Sequence, residues 1–365
     1  MSLALYRKYR PKTFAEIIGQ EHVVRTLTNA IAVGKTSHAY LFSGPRGTGK
    51  TTIARLLAKS LNCTGKKNGN AEPCNECDSC RQINEGRALD LIEIDAASHT
   101  GVDNVRENII EASKYVPYGE RFKIYLIDEV HMLSKGAFNA LLKTLEEPPK
   151  HVVFILATTE ISKVPATILS RVQRFDFRKL KISEIADRLD FIAKKEKIKI
   201  EPRALNYLAA LADGSTRDAE SLFDQVIALG EEPITLKIIE EFLGTIDFET
   251  ASRFIDFIAE KKLSEAIKFL SEINRQGKDI QEFSKMLLNY FRKLMILKID
   301  PTLCGIIEAD LTAEQLEILK NQAAKFSSET INKALHLYLS AQNEIKYSPI
   351  AVMPLEIVTL ELLKI

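Results

Sequence analysis

Residues 44–51 read GPRGTGKT, and no other stretch of the 365-residue chain restricts its fold as tightly. The octapeptide fits G-x-x-x-x-G-K-[ST] in full. Before it, HAYLFSG (38–44) is an apolar run of strand length; after it, KTTIARLLAKSL (50–61) carries apolar residues at helical spacing. Strand, glycine loop and helix in that order build a phosphate cradle. Gly44, Pro45, Arg46, Gly47, Thr48 and Gly49 form the loop, whose glycines let backbone N–H groups curl round a polyphosphate, and the helix N-terminus adds its positive dipole end. Lys50 can reach the β and γ phosphates, and the Thr51 hydroxyl, with Thr52 beside it, can ligate magnesium. A glycine-rich turn without a ligand is the plain alternative, which the complete motif in this context disfavours.

Hydrolysis needs a second strand that delivers an acid for the metal and a base for water. RFKIYLIDEVHML (121–133) has that form: an apolar run from Phe122 to Ile127, then Asp128 and Glu129 where ligands of a parallel sheet bind. Asp128 would hold magnesium and Glu129 would polarise the attacking water. Acid pairs also end strands as solvated turns, so the reading depends on the upstream loop. Leu89–Ile94 and His151–Ala157 are further strand candidates, separated by helical patterns at Val102–Tyr115 and Ser134–Leu145. The alternation predicts a parallel, three-layer α/β core. No internal repeat is present, which excludes a solenoid.

Four of the five cysteines lie at Cys63, Cys74, Cys77 and Cys80. The C-x10-C-x2-C-x2-C spacing supplies the four thiolates of a closed tetrahedral zinc site, and a disulfide-stapled secreted domain would not concentrate them so. The intervening KKNGNAEP is too polar to fold by burial, so metal binding would supply its folding free energy. An iron–sulfur cluster and free thiols are the alternatives; the C-x3-C-P continuation of the former is absent. Cys304 reads as a core residue of an apolar helix.

With 45% hydrophobic and 27% charged residues, the chain can bury large cores and should divide into two or three domains. Its basic N-terminus runs into no apolar segment, and runs such as VVFILA (152–157) are far too short to span a bilayer. A cytoplasmic protein without a membrane partner is expected. A net charge of +1 means that nucleic-acid contact would need a local basic surface.

These motifs together carry a resemblance. YRKYRPKTFAEIIGQEHV, HAYLFSGPRGTGKTTIARLLAKSLNC, the CxxCxxC insertion, YLIDEVHMLSKGAFNALLKTLEEPP, LATTEISKVPATILSR and GSTRDAESLFDQ resemble the tau/gamma subunits of the bacterial DNA polymerase III clamp loader, which are AAA+ ATPases. The match is dense from residue 3 to about 243 and looser beyond.

The resemblance implies ATP, Mg2+ and Zn2+ as ligands and several further site residues. Thr159 matches a sensor of the γ phosphate, with Thr158 as the competing assignment. Arg171 in ILSRV matches the arginine finger that reaches a neighbouring subunit's ATP, where a fixed guanidinium stabilises charge on the transferring phosphoryl group. The family usually reads SRC there, and this chain has Val172. Arg217 in GSTRDA matches a second sensor, on a helix that Ser215 and Asp218 could start as a capping pair. YRKYRP resembles the segment against adenine and ribose, which brings in Arg7 and Ile18. Ser98, Thr100, Arg106, Ser134 and Lys135 match positions turned toward DNA, although helix caps and solvated sites explain them equally well.

The resemblance also implies an AAA+ core at 1–178 with the metal module at 63–80, a helical lid at 179–243, and an all-helical collar at 244–365 that assembles subunits into a ring. KKEKIKI (194–200) reads as a solvated helix face, and Met286, Tyr290, Phe291 and Met295 as core at helical spacing. The implied partners are delta, delta-prime and further tau/gamma subunits, the sliding clamp, and primer-template DNA held by its backbone. The implied function is an ATP-driven motor that opens the clamp and loads it. A non-hydrolysing delta-prime scaffold, an AAA+ branch-migration motor and a P-loop small-molecule kinase are the alternatives.

Overall fold

The computed structural model describes residues 3–66, 69–98, 100–119, 121–243, 248–300, 303, 305, 307 and 313–363. It divides into two compact units, Met1–Thr235 and Leu236–Ile365. Within the first, strands β1 (Ala39–Ser43), β2 (Leu91–Asp95), β3 (Lys123–Asp128), β4 (Val152–Thr158) and β5 (Gln173–Asp176) form one sheet in the order β2-β3-β4-β1-β5. All four strand pairings are parallel.

The strand sequences alternate between two cores. Tyr40, Phe42, Ile124, Leu126, Val153 and Ile155 face one layer, with the helices Glu21–Ala32 and Lys50–Asn62. Ala39, Leu41, Tyr125, Ile127, Phe154 and Leu156 face the other, with the helix Lys135–Glu146. Burial on both faces makes β1, β3 and β4 read as continuous apolar runs, as a helix-covered parallel sheet requires. The three-layer expectation is met, with strand limits one or two residues from those read in the sequence.

β5 was not anticipated. Its residues are QRFD, and only Phe175 is buried, so this short edge strand offers no apolar run to recognise. The helix expected from Val102 is continuous to Ser113, with an α turn at Val102–Val105 passing into a π-helical segment at Arg106–Glu111.

Helices Ile182–Glu196, Pro202–Leu211 and Thr216–Ile227 complete the first unit. Lys194 and Lys195 are exposed, as a solvated face should be.

The second unit is helical, with Phe254, Phe283, Leu287, Phe291 and Tyr338 fully buried in its core. Tyr290 is buried there too, while Met286 and Met295 pack against it from its rim. One polar cluster is buried among them: the Tyr290 hydroxyl donates to Gln322 Oε1, and Gln322 Nε2 donates to the carbonyl and hydroxyl oxygens of Ser252, each at 3.1 Å. Gly244, where the sequence suggested a boundary, and Cys304 lie outside the described residues. No helix among the described residues is long and apolar enough to cross a membrane.

Candidate nucleotide-binding site

The phosphate-loop motif folds between β1 and the helix Lys50–Asn62 as its glycines require. Gly49 caps that helix at φ 99°, and Gly47 sits at φ 73°, a region that L side chains avoid. Gly47 is also pressed from outside, since a Cβ there would lie 1.8 Å from the Ser215 hydroxyl.

Lys50 is buried, and its ammonium donates at 2.7 Å to the carbonyls of Gly44 and of Pro45. Burial pushes its pKa below the ordinary lysine value, against the pull of Glu129 and Asp128. A polyphosphate would restore the protonated form that this environment penalises. Thr51 donates its hydroxyl to Asp128 Oδ2 at 2.9 Å, and the Glu129 N–H donates to Oδ1 at 3.0 Å. The loop and the acid strand therefore meet at the atoms expected to share a magnesium ion, and hydroxyl plus carboxylate is a hard-oxygen set that suits it.

Glu129 has φ 48° and ψ 45°, a left-handed conformation rare for a residue with a side chain. Its Oε2 accepts from Thr159 twice, from the N–H at 3.3 Å and from the hydroxyl at 2.9 Å. Thr158 is fully buried, and its hydroxyl lies 3.0 Å from His131 Nδ1. Thr159, rather than Thr158, is the threonine that reaches the acid pair.

A cavity of about 490 Å³ opens above these groups. Arg46, Gly47, Thr48, Gly49, Lys50, Thr51, Thr52, Asp128 and Glu129 line it, and so do Ile18 and Arg217. Gly44 and Pro45 reach it only through Lys50. Arg7 is not among the lining residues; its guanidinium lies against the Tyr6 ring instead.

Arg217 stands 5.2 Å from the centre of that same ring, on a helix whose N-terminus is capped by the Ser215 hydroxyl accepting from the Asp218 N–H. The neighbouring Thr216 donates both its N–H and its hydroxyl to the Gly47 carbonyl, at 3.1 and 2.9 Å.

Arg171 stands apart. Its guanidinium pairs with Glu146 and donates to the Thr167 carbonyl at 2.6 Å, in an open groove with Ser37 and His38. Among the residues expected near DNA, the Ser134 N–H donates to the Thr100 carbonyl at 3.1 Å, and the Ser134 hydroxyl caps the helix that Lys135 begins. Ser98 bonds Asp95 at 3.2 Å, and the Arg106 side chain is 65% exposed.

The Sγ atoms of Cys63, Cys74, Cys77 and Cys80 all lie within 4.8 Å of one another. Sulfurs about 2.3 Å from one tetrahedral ion stand about 3.8 Å apart, so the cluster fits a single shared metal with a small contraction. For Cys77, burial opposes ionisation, but N–H donors from Cys80 and Thr64 outweigh it and bring the thiol down to about 6. Burial pushes Cys80 far up, which a bound cation would reverse.

Three family models tile the chain: "DNA polymerase III, delta subunit" at residues 19–181, "DNA polymerase III clamp loader subunit, ATPase lid domain" at 184–232, and "DNA polymerase III subunits gamma and tau domain III" at 234–365. The DNA polymerase III subunit gamma of Buchnera aphidicola subsp. Acyrthosiphon pisum is 39% identical over 346 residues, which is 94% of this chain and 94% of that protein. The chain belongs to the tau/gamma family of DNA polymerase III subunits. The tau subunit of Bacillus subtilis is 42% identical across 94% of this chain and 60% of its own length; that of Escherichia coli is 43% identical across 98% and 55%. The chain thus spans little more than half the length of these tau relatives. As in its family, a three-layer α/β core, a helical lid and a helical C-terminal unit make up the AAA+ arrangement.

Tyr6 and Arg10 line the cavity from within the YRKYRP segment. Arg188 and Glu220 of this tau/gamma site, which line it too, were missed by sequence reasoning. Arg188 and Glu220 pair at 2.9 Å with side chains only 11% and 7% exposed. Burial holds the Glu220 carboxyl above its usual range, against the opposing pull of Arg188. Glu220 falls one helical turn after Arg217, a spacing that could have marked it as facing the same wall.

Proposed function

We propose that this chain is an ATP-hydrolysing motor subunit of a cytoplasmic bacterial clamp loader, which opens the sliding clamp and loads it onto primer-template DNA. The observation that most supports the reading is a division of labour. The phosphate loop, the acid pair and Thr159 meet at one cavity, whereas Arg171 does not line it and stands at the surface.

In this reading the loop and Lys50 bind the triphosphate, and Glu129, aimed by Thr159, takes the proton of the water that attacks the γ phosphorus as ADP leaves. Thr51 and Asp128 would hold magnesium, which when bound neutralises phosphate charge. Arg217 closes on the phosphates from the lid side, and Arg171 serves the site of the adjacent subunit. Ile18 and the N-terminal segment hold the base, with Arg7 contributing through Tyr6. Cys63, Cys74, Cys77 and Cys80 hold a structural zinc ion.

The domains are the core at 1–178, the lid at 179–243 and the collar at 244–365, the last joining this chain to delta, delta-prime and further tau/gamma copies. Ser98, Thr100, Arg106, Ser134 and Lys135 contact the DNA backbone. Nucleotide drives loading only through different affinities of its bound states for clamp and DNA.

The test is clamp loading and ATP turnover by a complex reconstituted with Arg171→Ala. Abolished turnover with intact nucleotide binding is the expected result. Unchanged turnover would rule out the role in trans, and an unmodified complex without ATPase activity would favour the scaffold alternative.

A further inference from the structure

The cysteine insertion is bonded into the segment that leads to the nucleotide cavity. Glu72 accepts the N–H of Phe14 at 2.8 Å through Oε2 and that of Ala15 at 3.0 Å through Oε1. Asn75 Nδ2 donates to the Lys12 carbonyl at 3.1 Å. Lys59, on the phosphate-loop helix and 2% exposed, donates to that same carbonyl at 2.9 Å, to Asn84 Oδ1 at 2.8 Å, and to Asn75 Oδ1. The next three residues of this segment, Glu16, Ile17 and Ile18, line the cavity.

We propose that the cysteine insertion positions the bound nucleotide: through Glu72, Asn75 and Lys59 it grips residues 12–15 and so sets the wall formed by Glu16, Ile17 and Ile18. This inference rests on the nucleotide-binding reading of the cavity. The sequence between Cys63 and Cys74 is too polar to fold by burial, so its order would depend on a metal held by the four sulfurs. Releasing it leaves two backbone donors without their carboxylate and a buried ammonium short of acceptors, and the segment must rearrange to solvate them. Phe14, 1% exposed in the core, still anchors the segment, so nucleotide affinity falls without vanishing. Linkage makes the effect mutual: whatever factor metal adds to nucleotide affinity, nucleotide adds to metal affinity.

The experiment titrates the full chain with a fluorescent ATP analogue, using wild type, Glu72→Ala, which keeps all four cysteines, and wild type stripped by a chelator under reducing conditions. We expect Glu72→Ala to retain its metal and both altered samples to lose about fivefold or more in affinity for the analogue. Competition by inorganic tripolyphosphate, which does not reach the wall, should be unchanged. Hydrogen exchange at residues 12–18 should quicken in both samples, and the analogue should slow metal loss to the chelator. Should Glu72→Ala not fold, Glu72→Gln, which keeps one acceptor oxygen, serves instead with a smaller loss. Wild-type affinity in the altered samples, or equal weakening of tripolyphosphate and analogue, overturns the inference and leaves the nucleotide site standing. Absence of binding by wild type overturns the nucleotide reading itself, and this inference with it.

Discussion

Thr159 holds Glu129 by a single carboxylate oxygen, which accepts both the backbone N–H and the hydroxyl of the threonine. The second oxygen is left for other work, and the two bonds fix the direction of the carboxylate. Thr159→Ala should lower ATP turnover of the assembled complex about tenfold or more, a share of what a positioned base supplies. Thr159→Ser should recover most of it. Nucleotide affinity of the isolated chain should not change in either variant, and a parallel loss of affinity would point to collapse of the loop.

The pair between Arg171 and Glu146 is at the surface, and such pairs are worth about 1 kcal/mol or less. A neighbouring triphosphate could therefore draw the arginine away at little cost. Arg171→Ala should reduce turnover of the complex about a thousandfold, whereas Glu146→Gln should leave it unchanged or slightly raised. Steady-state turnover of the two complexes decides this, and equal damage in both would show that the pair itself is needed.

Cys77→Ser removes the most acidic of the four thiols. Metal content by elemental analysis should fall well below one per chain, and the melting temperature should drop. Nucleotide binding should weaken yet persist, because the phosphate loop does not depend on the cluster. Full metal occupancy in the variant would exclude Cys77 as a ligand.

In the second unit, Gln322→Ala would leave the Tyr290 hydroxyl and two Ser252 oxygens buried without their partner. The expected cost is about 1–3 kcal/mol, read from urea unfolding. A neutral result would mean that water enters the space.

Arg178 hydrogen-bonds Glu184 through two nitrogens, at 3.0 and 2.6 Å, and holds its carboxyl below the usual glutamate range. A depressed folded value gives stability that is present above the unfolded pKa of about 4.3 and lost as pH falls through the folded one. The contribution is below about 1 kcal/mol, since both groups are partly exposed. Thermal melts of Glu184→Gln and wild type should differ at neutral pH and converge in acid; a gap that widens in acid would reverse the assignment.

What the sequence disclosed follows from how local each feature is. The phosphate loop, the acid pair and the cysteines are contiguous or closely spaced, and their chemistry demands those residue types in that order. β1, β3 and β4 were legible because burial on both faces forces apolar runs, while β5 carries a single buried phenylalanine and left no pattern. Arg188 and Glu220 come from two separate helices, so only the folded chain brings them to the cavity that the YRKYRP segment borders. The bond from Thr159 to Glu129 joins the ends of two neighbouring strands, and nothing in LATT alone says which threonine makes it.

The Gly47 carbonyl belongs to the phosphate loop, yet both of its contacts from Thr216 come from the helix that carries Arg217. Any turn of that one peptide plane must break or drag two bonds lying a single residue from the arginine. The loop and the Thr216–Ile227 helix are thus tied together at one carbonyl oxygen, so neither can shift there without the other.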